Sequence, residues 1–516
     1  MLKDKQNYLI EYLCLNYKRK KITMLTPKNN ASFLRVEILQ KVAKSFLENR
    51  FADADKLPEI IRPEGSTPLR GTLEADHTYI KYAAMAAMGF DPDAEYESGL
   101  SLNEYGKKAL ERTSAAPSVL SVIKASCAGC MSQRYLVSDN CRACVARPCM
   151  LNCPKQAIEV TDKAVIDQDK CVKCGRCADV CPYNAIIKVP LPCEDACPVG
   201  AITKGEDGRE HIDHEKCVSC GKCLNSCPFG VIVETSQMVD VLREIHNPNK
   251  QVVAMLAPAV IGQFAGNINN LVGALQKAGF SHVVEVAVGA DITTQKEAAE
   301  FIEKAENGEQ LMTTSCCPAY FKAAEVHIPE IKPYVSHTKT PMHYMAELVK
   351  QENPDYVTVF VGPCLAKRVE AETDEYVDYV ITFEEVGAII AASDINVAEC
   401  EPVEFSQVSC AQGRIFSISG GVAGAVASLI DGKVNYQPYK VDGLTKESIK
   451  LLKKYGQKAT AGGVCTNPEG CPFNMIEVMC CEGGCVAGPG CIALPKKSAK
   501  AVETYAAQGP DLKEKN

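Results

Sequence analysis

Three textures follow one another along the chain. In the first, apolar positions recur at helical spacing, over Phe33-Leu34-Arg35-Val36-Glu37-Ile38-Leu39 through Phe51 and again from Ile80 to Met88, with Gly89 as a stop signal. Pro63-Glu64-Gly65-Ser66-Thr67-Pro68 between them reads as a loop. From Gln251 onward, short apolar runs alternate with amphipathic stretches. This predicts strands over residues 252–256, 283–288, 356–361 and 377–382, with helices over 271–279, 293–307 and 383–392. Such alternation is α/β texture, in which ligands sit beyond the carboxyl ends of strands. Between Cys127 and Cys227 neither period holds, and cysteine dominates instead.

Composition narrows the class. At 516 residues the chain is long enough for about three or four domains. Hydrophobic content of 46% and charged content of 23% are ordinary for soluble protein. No apolar run reaches the ~18 residues of a membrane span, and Met1-Leu2-Lys3-Asp4-Lys5 does not open a secretory signal. A net charge of −8 argues against nucleic acid as the main partner. The 28 cysteines carry the strongest message. A disulfide framework belongs to small exported chains, and spacings such as Cys171-x2-Cys174-x2-Cys177 crowd thiols too closely to pair with one another. Metal binding in a reducing, anaerobic cytoplasm is the reading that remains. Residues 1–120, where Cys14 is the sole cysteine, read as a small helical N-terminal domain whose first ~25 residues are disordered.

Sixteen cysteines lie between Cys127 and Cys227. Cys171-x2-Cys174-x2-Cys177-x3-Cys181-Pro182 is a bacterial ferredoxin run, and Cys217-x2-Cys220-x2-Cys223-x3-Cys227-Pro228 repeats it. In such runs the fourth cysteine serves the neighbouring cluster. Cys141-x2-Cys144-x4-Cys149-x3-Cys153-Pro154 is a looser version with two extra residues before its third cysteine. Pairing the runs gives one cluster on Cys141, Cys144, Cys149 and Cys181, and another on Cys171, Cys174, Cys177 and Cys153. Cys217, Cys220, Cys223 and Cys197 complete a third. Cys193 with Cys227, and Cys127 with Cys130, are then two half-sites, and joining them makes a fourth cluster. A structural or zinc-binding role for Cys127 and Cys130 is the alternative. Ala157-Ile158, Ala185-Ile186 and Ala201-Ile202, each after a Cys-Pro, read as the small core between cluster lobes. Residues 121–235 are therefore expected to form α+β ferredoxin-like double modules with four 4Fe–4S clusters.

The α/β part carries three cysteine loops: Thr314-Ser315-Cys316-Cys317-Pro318-Ala319-Tyr320, Gly362-Pro363-Cys364-Leu365-Ala366-Lys367, and Val478-Met479-Cys480-Cys481-Glu482-Gly483-Gly484-Cys485. Adjacent cysteines project in different directions, so Cys316 and Cys317 divide between one metal thiolate and one free thiol. Together the loops supply the soft ligands of an iron–sulfur centre.

In order and content these loops, with Glu370 and Glu477, resemble the three signatures of the FeFe-hydrogenases, over residues 250–495. The resemblance implies an α/β catalytic domain of two lobes (residues 236–495) around a buried iron–sulfur centre, followed by a tail over 496–516. It implies that Cys317, Cys364, Cys481 and Cys485 bind the 4Fe–4S part of an H-cluster. Cys485 would bridge to a two-iron subcluster bearing carbonyl, cyanide and azadithiolate. Lys367 would donate to a cyanide, with Met479, Pro258, Ala259, Pro363 and Gly420 also around the cofactor. Cys316 would be the thiol that passes protons, fed by Glu297, Glu300 and Ser336. Taken alone, two glutamates one turn apart read as a solvated helix face.

The implied reaction is reversible reduction of protons to dihydrogen. Electrons would pass through the accessory clusters to or from a soluble ferredoxin, and maturation enzymes would insert the two-iron unit. A basic patch for an acidic carrier is not visible in the sequence. Several positions depart from the family pattern: Gly362 for methionine, Ala259 for serine, Met342 for glutamine, Cys480 for alanine, and Pro489 and Cys491 within a glycine run. They resemble a divergent, group B-like branch. Cys400, Cys410, Cys465 and Cys471 match no role and read as buried thiols, with a Cys465/Cys471 site as the alternative. Two other functions share this ancestry, a hydrogen sensor and a non-catalytic iron–sulfur scaffold or assembly protein. Retention of Cys316, Lys367 and Cys485 argues against the scaffold, and the lack of a long segment after Cys491 argues against the sensor.

Overall fold

A computed structural model describes residues 29–117, 120–131, 134–430 and 432–514. Cys14 and the stretch read as disordered lie outside the described residues. Two parallel sheets organise the C-terminal half. The larger runs His282–Glu285, Val252–Leu256, Val357–Gly362, Tyr379–Thr382 in spatial order. The smaller runs Met312–Thr313, Met475–Met479, Pro438–Asp442. Every residue of Val252–Leu256, Val357–Gly362, Tyr379–Thr382 and Met475–Met479 is buried. That explains their nearly unbroken apolar runs, since parallel strands are covered on both faces.

Helix starts follow their caps. Phe383–Ala392 begins at Thr382, whose hydroxyl accepts from the Glu385 N–H while the Glu385 carboxylate accepts from Thr382. Ile268–Lys277 begins at a reciprocal Asn267/Asn270 cap. The strand expected over 283–288 stops at Glu285, and a 20-residue helix, Ala287–Glu306, starts almost at once. Val286, Ala287 and Ala290 are buried helix-face residues, which a short apolar run cannot distinguish from strand. Gly289 meets the Pro341 backbone so closely that a Cβ would collide with it. The correction matters for the site, because Glu297 and Glu300 now stand in the middle of a helix whose start is packed on Pro341.

The N-terminal helices, Asn30–Leu47, Leu73–Ala87 and Leu102–Glu111, pack through one apolar core on the C-terminal half of the chain. Asn30–Leu47 lies against Phe383–Ala392, and Leu34, Ile38, Val386 and Ile390 share one apolar core. Arg35 forks onto Glu384 with two bonds of 2.8 Å. Below it the fully buried Arg368 binds Glu385 at 2.5 Å and the Thr235 carbonyl at 2.6 Å. These contacts tie three sections of chain together.

The cysteine-rich region pairs its strands in a nested order. Arg134–Val137 pairs with Ile186–Val189, and Ile158–Val160 with Ala164–Ile166, closing one module. Leu120–Val122 pairs with Ile232–Glu234, and Ile202–Lys204 with Glu210–Ile212, closing the other. The first module is thus inserted within the second. Ala157, Ile158, Ala185, Ile186, Ala201 and Ile202 are buried. The stretch read as a tail instead forms the helix Pro495–Ala506, in which Ser498 and Val502 are buried and Gln263 donates to Ser498 at 2.9 Å. Among the described residues no helix is long and apolar enough to cross a membrane.

Candidate metal centre

Each cysteine loop leaves the carboxyl end of a parallel strand. Met312–Thr313 and Met475–Met479 of the smaller sheet lead to the first and third loops, and Val357–Gly362 of the larger sheet leads to the second. The loops meet around a cavity between the two sheets. Cys317, Cys364, Cys481 and Cys485 line it, as do Cys316 and Lys367. Pro258, Ala259, Met342, Pro363 and Met479 complete its apolar wall. Gly420, expected beside the cofactor, is not among the lining residues. It adopts a positive φ of 95°, and its N–H donates to Glu477 at 2.6 Å.

Backbone dipoles prepare the sulfurs. Cys317 caps the helix Pro318–Val326, where the N–H groups of Tyr320, Cys480 and Ala319 favour its thiolate. Cys364 stands before the helix Ala366–Ala371 and receives the N–H groups of Lys367 and Ala366. Burial opposes them, pushing Cys364 and Cys485 up to about 12 and Cys481 well above the ordinary thiol range. Thiols this deep hold their protons until a cation displaces them, which couples metal uptake to proton release. Among the described residues no three metal-ligating side chains converge tightly enough for a single ion. Four thiols spaced around a cavity are instead the donor set of a polynuclear cluster.

Cys316 differs from its neighbour. It shares the cavity, burial holds its thiol protonated, and Glu297 is the carboxyl acting on it most strongly. Glu297 is fully buried, and neither of its oxygens makes a well-formed hydrogen bond, although the Ser315 N–H and the Ser336 hydroxyl face it. Burial, then the charge of Glu300, raises it to about 8. Glu300 is half-buried yet stays ionised below its ordinary range, because Ser336, the His337 N–H, Thr338 and Lys304 all stabilise its charge. Ser336 donates to Glu300 at 2.5 Å and Thr338 at 2.9 Å. Lys367 donates to Glu370 at 2.7 Å, and Thr340 holds the other Glu370 oxygen at 2.5 Å. That orients the ammonium at the cavity wall with donors to spare.

The ferredoxin-type cysteines gather as the spacing suggested. Three cavities are each walled by one foursome: Cys141, Cys144, Cys149 and Cys181; Cys153, Cys171, Cys174 and Cys177; Cys127, Cys130, Cys193 and Cys227. In the last group, insertion of one module into the other explains how Cys127 and Cys130 meet residues so distant in sequence. Cys197, Cys217, Cys220 and Cys223 act on one another electrostatically, and Cys220 also lines the large cavity. Gly362 leaves room that the Phe360 ring fills, since a Cβ there would collide with it. Cys465 is buried against the Tyr455 carbonyl and Cys471 is exposed, two residues of one hairpin with no shared site.

Residues 250–489 match the family described as the iron only hydrogenase large subunit, C-terminal domain. Residues 164–187 match a 4Fe-4S binding domain, and 187–238 an LdpA Fe-S cluster-binding domain. Iron hydrogenase 1 of Clostridium pasteurianum is 30% identical over 389 residues, spanning 65% of this chain and 67% of that protein. The chain belongs to the iron-only hydrogenase family. The NADP-reducing hydrogenase subunit HndD of Solidesulfovibrio fructosivorans is 26% identical over 534 residues, spanning 83% of this chain and 86% of that one. A probable cytosolic Fe-S cluster assembly factor of Nematostella vectensis is 28% identical over 292 residues, spanning 46% and 66%.

Several members of the site escaped sequence reasoning. Lys304, paired with Glu300 at 3.3 Å, lies one turn further along the relay helix, a spacing that was legible in principle. Thr338 and Phe360 carried no signal, because their roles come from tertiary packing. Nor did the packing of Cys480 and Cys220 into one apolar cluster from distant sections of chain.

Proposed function

We propose that the chain is an FeFe-hydrogenase that interconverts protons and electrons with dihydrogen at an H-cluster. The observation that carries this is the single cavity that four thiols surround while a fifth, Cys316, faces the buried carboxyl of Glu297. Cys317, Cys364, Cys481 and Cys485 would hold the 4Fe–4S part, with Cys485 bridging to the two-iron part, which supplies the metal chemistry of hydrogen when bound. The chain's own residues position and protect that group. The apolar wall of Pro258, Ala259, Pro363 and Met479 excludes water and stray acids. Lys367, fixed by Glu370, presents an ammonium to anionic ligands. A proton moves between the Cys316 sulfur, the Glu297 carboxyl, the Ser336 hydroxyl and the Glu300 carboxylate, which Lys304 and the exposed His337 connect to the surface.

Electrons would travel the four accessory clusters. Lys188 of the first module pairs with Asp195 of the second at 3.7 Å and Lys173, beside Cys174, acts on Glu194, which would make the Cys171 group the inner and the Cys141 group the outer of the two. Residues 134–189 carry nine lysines and arginines against six acids, within a chain of net charge −8. Arg142 and Arg147 line the outermost cavity, and Val145 between them is 100% exposed. The two extra residues of the Cys141 run build this loop. A small acidic carrier of the ferredoxin type fits such a surface by charge and by its apolar centre.

An iron–sulfur assembly role is the second reading, favoured by the relatives that share about half of the chain. Infrared spectra of matured protein separate the two. Bands of metal-bound carbonyl and cyanide, with hydrogen-dependent dye reduction, are expected for a hydrogenase; their absence after maturation overturns that reading.

A further inference from the structure

The two ferredoxin-type modules repeat one hairpin, with one difference at a cavity wall. In the first, Ile158 pairs with Ile166 and Val160 with Ala164; in the second, Ile202 pairs with Ile212 and Lys204 with Glu210. Ala164 stands seven residues before Cys171 and Glu210 seven before Cys217, so the two hold matching places. Each lines a cavity of its own module, Ala164 beside Cys141 and Cys181, Glu210 beside Cys193 and Cys227. A buried carboxylate thus replaces a methyl group. Glu210 is 4% exposed, and among the described residues neither of its oxygens finds a well-formed hydrogen bond. Its counter-charge is Lys204 at 3.1 Å, which also donates to the Gly208 carbonyl in the hairpin turn at 2.9 Å. Lys204 is not among the described residues lining the cavity, so the negative end of the pair faces the sulfurs. Burying a carboxylate in this way costs stability that the alanine of the twin module avoids.

We propose that the Glu210 carboxylate holds down the reduction potential of the cluster on Cys127, Cys130, Cys193 and Cys227, setting it below its twin on Cys141, Cys144, Cys149 and Cys181. An added electron makes a cluster more negative, and a fixed negative charge at its wall opposes that electron. Little water reaches the pair to screen the effect, since Glu210 is buried with the sulfurs around it. The twin site lacks the carboxylate and is bordered by Arg142 and Arg147 instead, so charge of opposite sign lines the two cavities.

The inference rests on Cys127, Cys130, Cys193 and Cys227 holding a cluster, and not on hydrogen chemistry. Its test therefore uses the full chain loaded with iron and sulfide alone, titrated by redox potential and followed by electron paramagnetic resonance. The signal of this cluster is the one missing from a protein carrying Cys127→Ala and Cys130→Ala. In Glu210→Gln, and in Glu210→Ala, that signal is expected to titrate at higher potential, with iron content and the other signals unchanged. A signal that titrates as in the parent protein in both variants overturns the proposal. So does a shift in Glu210→Ala alone, since packing and not charge would then be the cause. Loss of a cluster's worth of iron in either variant overturns it too, because Glu210 would then be needed to hold the cluster. If no signal is missing from the double cysteine variant, the fourth cluster itself falls, and this proposal falls with it.

Discussion

Ser336 donates to Glu300 at 2.5 Å, and the same hydroxyl faces Glu297 on the other side. The two carboxyls are one helical turn apart, yet their surroundings drive them in opposite directions. Glu297, desolvated and next to a negative charge, is neutral at pH 7, whereas Glu300, surrounded by donors, is ionised. A neutral acid and an ionised one joined through a hydroxyl can hand a proton across without separating new charge. Glu297→Gln and Cys316→Ala are therefore expected to lower hydrogen turnover by about 10²–10⁴-fold while leaving bound iron unchanged. Turnover near that of the parent protein would exclude the route.

The same asymmetry has a spectroscopic consequence. Folding raises the Glu297 pKa, so its contribution to stability is complete below the ordinary carboxyl range and is lost as pH rises to about 8. In infrared difference spectra a protonated carboxyl band should be present at pH 7 and fade as pH passes about 8. Glu297→Gln should abolish the band. A band that persists in that variant would belong to another acid.

Much of this site was legible because cysteine spacing is a direct record of cluster geometry. Cys171-x2-Cys174-x2-Cys177 specifies a local loop, and the strand feeding Cys364 announced itself as an apolar run, whereas the strand Met475–Met479 that feeds Cys481 was not read. What stayed hidden depended on chain sections meeting at a distance. Val286-Ala287-Val288 reads as strand because a buried helix start is equally apolar, so the anchored position of Glu297 was missed. The nesting of one ferredoxin module inside the other left no local trace, and neither did the burial of Arg368 between Glu385 and Thr235. Cys480 looked isolated because Cys220, with which it packs in one apolar cluster, lies 260 positions earlier.

The surface of the outer module gives a charge-sensitive test. Arg142 and Arg147 form no ion pair among the described residues, so their charge is available to a partner. Arg142→Glu with Arg147→Glu should raise KM for an acidic ferredoxin by about tenfold or more and flatten its salt dependence, since rim charges steer association. Turnover with a small uncharged dye should hold. An unchanged KM for the acidic carrier would move the docking surface elsewhere.

The pairing of Cys127 and Cys130 with Cys193 and Cys227 can be settled by counting iron. All four line one cavity, and Cys193 is pushed up to about 12 by burial, with the nearby Glu210 carboxylate and Cys227 adding to the shift. Glu210 is itself 4% exposed, at the cavity wall, and is balanced by Lys204 at 3.1 Å. Two thiols alone would leave that apolar, acid-flanked space with too few donors for any metal, whereas four match a cubane. Cys127→Ala with Cys130→Ala should therefore lower iron and acid-labile sulfide by about four each per chain. Zinc bound at this place, or iron unchanged in the double variant, would return Cys127 and Cys130 to a structural role. The remaining clusters should keep their spectra, because each of the other three foursomes has its own thiols.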